Sequence, residues 1–160
     1  ATGRRVATAA LAGTVLYAGC MLGLTSHARE RAREAARSGG LPPPLEAYAG
    51  PLPAAPTARD LLLVHADHYR PGTAPATGPV ALAPRPIPIG AADPRVATAL
   101  AAPCARGMRA WMRYPFFAVA AEAGGAAVHI LDARYVRAPA RGFGATTVLL
   151  GPAGEVLGCR

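Results

Sequence analysis

The residues best suited to metal chemistry are His65, Asp67 and His68, three candidate ligands within four positions. On a helix the two histidines would share a face and could bind a zinc ion together. The apolar run at 61–64 and the following Tyr69 favour a β-strand instead, where residues three apart point to opposite faces. Two interpretations stay open: a metal site that requires a local bulge, or polar residues at a strand end.

Other catalytic groups are sparse. His27 follows an apolar segment and is a further candidate metal ligand, facing a helix bundle or lying in the membrane interface. His129 alternates with apolar residues and is predicted to point outward from a strand. Neither Ser26 nor Ser38 lies in a nucleophile elbow, the nine acidic residues are scattered, and no glycine-rich phosphate loop precedes a helix. The sequence therefore contains no complete catalytic constellation.

Two short stretches, 111–115 and 132–135, combine aromatic residues with arginines and an aspartate. On a strand, Asp132 and Arg134 would share one face. We expect Arg113, leaving the preceding helix, to form a partly buried bidentate pair with Asp132. Such a pair would lock a helix to a sheet or position an anionic group, and we favour the structural role.

Residues 6–24 are uncharged and predict a membrane helix, since about 19 residues at ~1.5 Å each cross a hydrocarbon core of about 30 Å. Its many small residues favour packing against other membrane helices, or simply reflect an Ala-rich composition. A signal peptide is the competing interpretation, with Arg4 and Arg5 as its basic start. We favour an uncleaved helix, because the apolar run extends beyond Cys20 to Leu24 and continues without a break into an Arg/Glu-rich helix.

The basic residues are 17 arginines, and the formal net charge is +8. The densest cluster directly follows the apolar run and consists of Arg29, Arg31, Arg33 and Arg37. Four arginines follow the apolar run and only Arg4 and Arg5 precede it, which favours a cytoplasmic soluble domain. No nucleic-acid motif accompanies the charge, so no nucleic acid is expected as a partner.

The three cysteines, Cys20, Cys104 and Cys159, form no C-x-x-C pair. Because one cysteine is left over in any pairing, we expect neither a disulfide framework nor a thiolate zinc site. This usage favours a reducing compartment for the soluble part.

The predicted fold class is α+β: an N-terminal transmembrane helix, then a small antiparallel sheet covered by one or two helices. Residues 1–38 form the membrane helix and its basic extension, and 39–59 a Pro/Gly-rich linker with a short strand. Residues 60–160 form the soluble domain, with a Pro-rich loop at 75–94. Predicted strands are 60–69, 116–121, 126–131, 144–150 and 155–157, with turns at Pro71-Gly72 and Gly124-Gly125. Asp93-Pro94 predicts the start of a helix, and a second one at 103–112 is expected to turn Trp111 inward.

The elements Arg113-Tyr114-Pro115 and Asp132-Ala-Arg-Tyr135 resemble the tail of the bacterial YdjM-type inner-membrane proteins, described as membrane-bound metal-dependent hydrolases. Members tend to end with a last membrane helix, a basic His-containing helix and a β-rich tail. The Pro-rich stretch at 51–56 and the strand and turn at 60–72 are similar to the segments preceding that tail. The residues matching the family's motifs, expected to be structural, are Trp111, Arg113, Pro115, Asp132, Arg134 and Tyr135.

The resemblance implies a divalent metal as cofactor, held by a His-Arg-Gly-x-Thr-His-Ser-like motif on earlier membrane helices. Nothing in this sequence matches that motif. The hypothesis is therefore the C-terminal membrane helix and soluble tail of such a hydrolase, with its catalytic centre upstream and other helices of the same protein as partners. The sequence begins at Ala1 without an initiator Met, which favours a processed chain or a piece of a longer one. The alternative is a single-pass, membrane-anchored binding or interaction module without catalytic activity.

Overall fold

The structure, a computed structural model, describes residues 2–53, 55–135 and 144–160. It confirms the α+β class: a long N-terminal apolar helix precedes two small antiparallel sheets and a few short helices. Contacts divide the chain into two compact units. The first comprises residues 1–65 and 71–84, and the second residues 66–70 and 85–160.

Helix α1, Thr2–Ser38, joins the predicted membrane helix and its basic extension without a break. It is long and apolar enough to cross a membrane. Every side chain described before Met21 is exposed, whereas Ala28, Ala32 and Ala36 are buried. The helix ends at Gly39-Gly40, where Gly40 adopts φ 68° and Leu41 N–H donates to Ala36 O at 2.9 Å. Such a left-handed cap favours glycine, because other residues are strained there.

The first sheet has the order β1-β2-β3-β4, and a fifth strand, β5, also pairs with β3. The strands are β1 Glu46–Leu52, β2 Ala55–Val64, β3 His68–Ala74, β4 Ala81–Leu82 and β5 Ile87–Pro88. Within the first unit, the buried alanines of α1 pack against β1 and β2, forming a core with Ala47, Ala49, Leu61, Leu63 and Ala74.

Two predictions for this region are wrong. The strand predicted at 60–69 is two antiparallel strands, since β2 ends at Val64 and β3 starts at His68. Pro71-Gly72, predicted as a turn, lies inside β3, where Pro71 O accepts from Ala83 N–H at 2.8 Å. Proline is tolerated there because it lacks only the backbone N–H and keeps a carbonyl that accepts a hydrogen bond.

The second unit contains a four-stranded antiparallel meander of order β6-β7-β8-β9. Its strands are β6 Pro115–Glu122, β7 Gly125–Asp132, β8 Ala145–Leu150 and β9 Val156–Cys159. Its helices are α2 Pro94–Ala101, a 3₁₀ turn Pro103–Ala105, α3 Arg106–Trp111 and a 3₁₀ turn Ala133–Tyr135.

Most predictions for this unit hold. The Asp93 side chain caps α2 by accepting from Arg95 N–H at 3.0 Å, with Pro94 in the first turn. Val96 and Ala99 of α2 are buried in one core with Val128 and Ile130 of β7. The two-residue turn between β6 and β7 falls one position earlier than predicted, with Gly124 at φ 86°.

Cys104 and Cys159 form a disulfide, with a Cα–Cα distance of 6.5 Å. The bond joins the 3₁₀ turn after α2 to the last strand across 55 residues of sequence. The expectation that the cysteines form no disulfide is wrong: the odd cysteine, Cys20, lies exposed on α1 and leaves the other two to pair.

Candidate functional site

The best-defined polar cluster is centred on Asp132, the last residue of β7, which is 1% exposed. Its Oδ2 accepts from Arg113 N–H at 2.7 Å, and its Oδ1 from Arg134 N–H at 3.0 Å. The Arg134 guanidinium completes a bidentate pair, Nε to Oδ1 at 3.0 Å and Nη2 to Oδ2 at 2.8 Å. Both carboxylate oxygens therefore accept hydrogen bonds, from Arg113 just after α3 and from Arg134 in the second 3₁₀ turn.

Arg113, whose side chain we expect to pair with Asp132, meets this carboxylate through its backbone. Arg113 contributes its backbone N–H, while its guanidinium lies 5.2 Å from the Tyr114 ring centroid. The bidentate pair belongs to Arg134, because the strand ends at Asp132 and the 3₁₀ turn folds Arg134 back onto it. An aspartate that binds a backbone N–H two residues later is a common turn arrangement.

An aromatic pair covers this ion pair. The rings of Trp111 and Tyr135 stack at 5.2 Å between centroids and 27° between planes. The Arg134 guanidinium carbon lies 5.1 Å from each ring centroid, a cation–π distance. Trp111 is 39% exposed and Tyr135 43%, so the expectation that Trp111 turns inward is wrong.

Gly144 fits beside this pair for two reasons. It adopts φ 86°, and a Cβ there would lie 3.0 Å from the Trp111 ring. Its carbonyl accepts from Asp132 N–H at 3.3 Å. Any side chain at this position would therefore strain the backbone and displace the indole.

The environment shifts two pKa values in this cluster. Burial and the nearby Asp132 charge raise the pKa of Tyr69, whose hydroxyl donates to Pro115 O at 3.0 Å. Burial alone would raise the pKa of Asp132, but hydrogen bonds from Arg134 and the Arg113 backbone outweigh it and lower the pKa. Asp132 is thus a stable carboxylate, which suits a structural joint between α3, β6 and β7 better than proton transfer.

The candidate metal ligands are distributed as follows. His65, 6% exposed, lies in the turn after β2, and His27 is exposed on α1. Asp67 and His68 contact each other, with Oδ1 and Nδ1 2.7 Å apart. Among residues 2–53, 55–135 and 144–160, no group of three or more His, Cys, Asp or Glu side chains could hold a metal ion. A metal at these positions stays a prediction.

His129 binds across the sheet to its register partner, with Nδ1 2.9 Å from Thr147 Oγ1. It is half-buried and alternates with the buried Val128 and Ile130.

Several arginines of the basic cluster on α1 are bound to protein groups. Arg31 donates to Pro75 O at 2.6 Å and to the carbonyl of Gly78. Arg33 and Arg37 form exposed ion pairs with Glu30 and Glu34. Because such exposed pairs contribute about 0–1 kcal/mol, these two remain available to anionic surfaces, whereas Arg31 fixes the loop before β4.

Arg59 of β2 is the important residue that the sequence did not predict. It is 2% exposed, and its Nη1 donates to Pro56 O and Ala58 O at 2.7 and 2.9 Å. Across to α1, its Nε donates to Thr25 Oγ1 at 3.2 Å and its Nη2 to Met21 O at 3.3 Å. Arg59 therefore fixes the β1–β2 hairpin to α1 next to the end of the uncharged run. Its only sequence signal is an arginine beside Asp60 in a strand whose other residues are mostly apolar.

The stretches 111–115 and 132–135 meet at Asp132, where Arg113, Arg134, Trp111 and Tyr135 surround the carboxylate. This contact identifies no reaction. Comparisons with protein-family models, curated proteins and solved structures find no match for this chain.

Proposed function

We propose that this chain anchors a two-unit soluble region to a membrane through α1, and that it is the tail of a YdjM-type membrane protein. The observation that carries the anchor is the exposure of α1: every described side chain of its uncharged run up to Cys20 is exposed, while its continuation from Ala28 is buried on β1 and β2. Exposed side chains include Val6, Leu11, Val15, Leu16 and Leu22, each at least 64% exposed. Leaving so much apolar surface in water is unfavourable, and a bilayer removes that cost.

The hydrolase part of the proposal rests on the resemblance of residues 111–115 and 132–135. Under it, the metal and its ligands belong to other membrane helices of the same protein. The small residues of α1 support packing against such helices, because they allow close backbone approach. The residues described here then anchor and position, and the chemistry of hydrolysis is carried elsewhere.

The disulfide supports placing the soluble units on the non-cytoplasmic side of the bacterial inner membrane. Disulfides persist in oxidising compartments and are rare in the cytosol. The arginine count favours the opposite side, four against two. We give the covalent bond more weight, because Arg31 is already bound to protein carbonyls and the arginine counts on the two sides differ by only two.

Extraction of the expressed chain tests the anchor. The native chain should stay in the membrane fraction through alkaline carbonate and leave it only with detergent. Leu16→Arg places a charge in the apolar run, costs about 3 kcal/mol of insertion free energy, and should shift the chain toward the soluble fraction. Leu45→Arg, at a residue 76% exposed outside α1, is the matched control and should change nothing. Release of the native chain by carbonate would reject the anchor.

Reporter fusions after Arg160 test the side. Alkaline phosphatase, active only after export, should be active there, and green fluorescent protein should be dark. The reverse pattern would place the soluble units in the cytoplasm.

A binding module without catalytic activity is the second candidate, favoured by the exposed Trp111–Tyr135 stack. The reading frame upstream of Ala1 separates the two candidates. Further membrane helices with a His-rich motif would support the hydrolase tail, and a stop codon directly upstream would contradict it.

A further inference from the structure

The β1–β2 hairpin ends in an apolar tip, formed by Pro51, Leu52, Pro53, Ala55, Pro56 and Thr57. No charged residue occurs between Gly50 and Ala58. Pro51, Pro53, Pro56 and Thr57 are exposed, and Leu52 and Ala55 are half-buried. The tip therefore presents three exposed prolines and a threonine, and no charge, to its surroundings.

Strand register places this tip along α1. After α1 ends, Leu45 N–H donates to Val64 O, and β1 then runs back antiparallel to β2 until Pro51 pairs with Arg59. The Arg59 guanidinium binds Met21 O and Thr25 Oγ1, so this end of the hairpin lies beside Met21.

The tip continues beyond Arg59 in the direction of the N-terminus of α1. The register shifts after Pro51, and Leu52 pairs with Ala55, so both lie beyond the Pro51–Arg59 pair. The uncharged run of α1 extends to Leu24, so the tip lies beside its last turns. Tyr17, 63% exposed on those turns, is a residue type enriched at membrane interfaces.

The backbone of the tip also suits a position close to lipid. Lipid offers no hydrogen-bond partner to a free N–H, which makes irregular backbone costly near hydrocarbon. Prolines at 51, 53 and 56 carry no N–H, so three such donors are missing from the tip. The nearest cation, Arg59, is buried and donates inward to carbonyls rather than outward.

We infer that the hairpin tip is a second membrane contact, inserted at the headgroup–acyl boundary of the bilayer that α1 spans. The inference rests on the proposed anchor and adds to it. With α1 and the tip both in the membrane, the first unit has a fixed rotation about the helix axis and lies against the lipid surface.

Tryptophan quenching by brominated lipids tests the contact. In a Trp111→Phe background, which removes the single native tryptophan, one tryptophan each is placed by Leu52→Trp, Thr57→Trp, Leu16→Trp and Leu45→Trp. The full chain is reconstituted in vesicles of phosphatidylcholine and phosphatidylglycerol, with and without bromine on the acyl chains. Circular dichroism of each variant checks that it is folded.

Leu16→Trp reports on the anchor, and Leu45→Trp, at the opposite end of β1, is the matched aqueous control. We expect bromination to lower emission about twofold for Leu16→Trp and for both tip variants, since an interfacial segment lies ~5–10 Å deep. Leu45→Trp should be unaffected by bromine.

Quenching of Leu16→Trp without quenching of either tip variant would overturn the second contact and leave the anchor standing. A blue-shifted but unquenched tip would also overturn it, because the tip would then be buried against protein. An unquenched Leu16→Trp would reject the anchor together with the inference.

Discussion

At the scale of single residues, two buried charged side chains organise the two units, and each is fully surrounded by polar partners. Asp132 receives backbone and guanidinium donors in the second unit, and Arg59 donates to four oxygen atoms in the first. Burying a charge without partners costs several kcal/mol, so the stability of each buried side chain depends on all of its hydrogen-bond partners.

Replacing Asp132 with Asn should lower the free energy of unfolding by about 3–5 kcal/mol, because it breaks the buried half of the ion pair and leaves the half-buried Arg134 guanidinium without its counter-charge. Denaturant unfolding of the full chain in detergent measures the change. Asp67→Asn, at a side chain 86% exposed, is the control and should have little effect. An equal loss in both variants would contradict the structural role of the Asp132 cluster.

Asp132 also predicts a pH dependence. Its pKa is lower in the folded chain than in the unfolded one, so its contribution is fully present above the unfolded pKa, about 4. The contribution is lost as the pH falls through the folded pKa. Acid titration of stability should therefore be steeper below about pH 4 for the native chain than for Asp132→Asn. Parallel curves would show that Asp132 titrates normally.

Arg59→Ala should destabilise the first unit by about 2–3 kcal/mol, since carbonyls of Pro56, Ala58 and Met21 lose their donor. Arg33→Ala removes an exposed ion pair and is the control, expected to cost under about 1 kcal/mol. Urea unfolding followed by circular dichroism compares the two. An Arg59→Ala variant as stable as Arg33→Ala would show that the hairpin does not need this contact.

At the scale of elements, α1 changes its environment along its length without changing its structure. Up to Cys20 its described side chains are exposed, and from Ala28 onward an alanine at every fourth position packs on β1 and β2. The four-residue spacing puts these alanines on one face. Their small size lets helix and sheet approach closely, so a larger residue would not fit.

Ala32→Leu should therefore cost about 1–3 kcal/mol through overpacking, because Ala32 is 0% exposed. Ala9→Leu, on the exposed part of the same helix, is matched in chemistry and should be neutral. Thermal unfolding in detergent gives the comparison. A neutral Ala32→Leu would mean that α1 does not pack on the sheet as described.

Periodicity and turn chemistry were enough to predict α1, the Asp93 cap and all four strands of the second sheet. They failed at two local turns. The hairpin at His65–Asp67 contains no glycine or proline to mark its turn, so two strands were predicted as one. The Asp132 partner was missed because strand geometry was extended to Arg134, beyond the end of β7.

At the scale of the whole molecule, the disulfide is the feature that most changes the interpretation. The number and spacing of the cysteines predicted no disulfide. Cys104 and Cys159 are 55 residues apart in sequence, and only the fold brings them together. A cross-link over that distance stabilises mainly by restricting the unfolded chain. It also points to an oxidising compartment, opposite to the side that the arginines favour.

Thiol counting on the native chain tests this pairing. Denatured without reductant, the chain should react with one maleimide, at Cys20, and after reduction with three. Cys104→Ser should then lower the free energy of unfolding by about 4 kcal/mol under oxidising conditions, the loop-entropy value for a separation of this size. Cys20→Ser should leave stability unchanged, as its thiol is exposed on α1. Three reactive thiols without reductant would remove both the cross-link and the reason for placing the soluble units outside the cytoplasm.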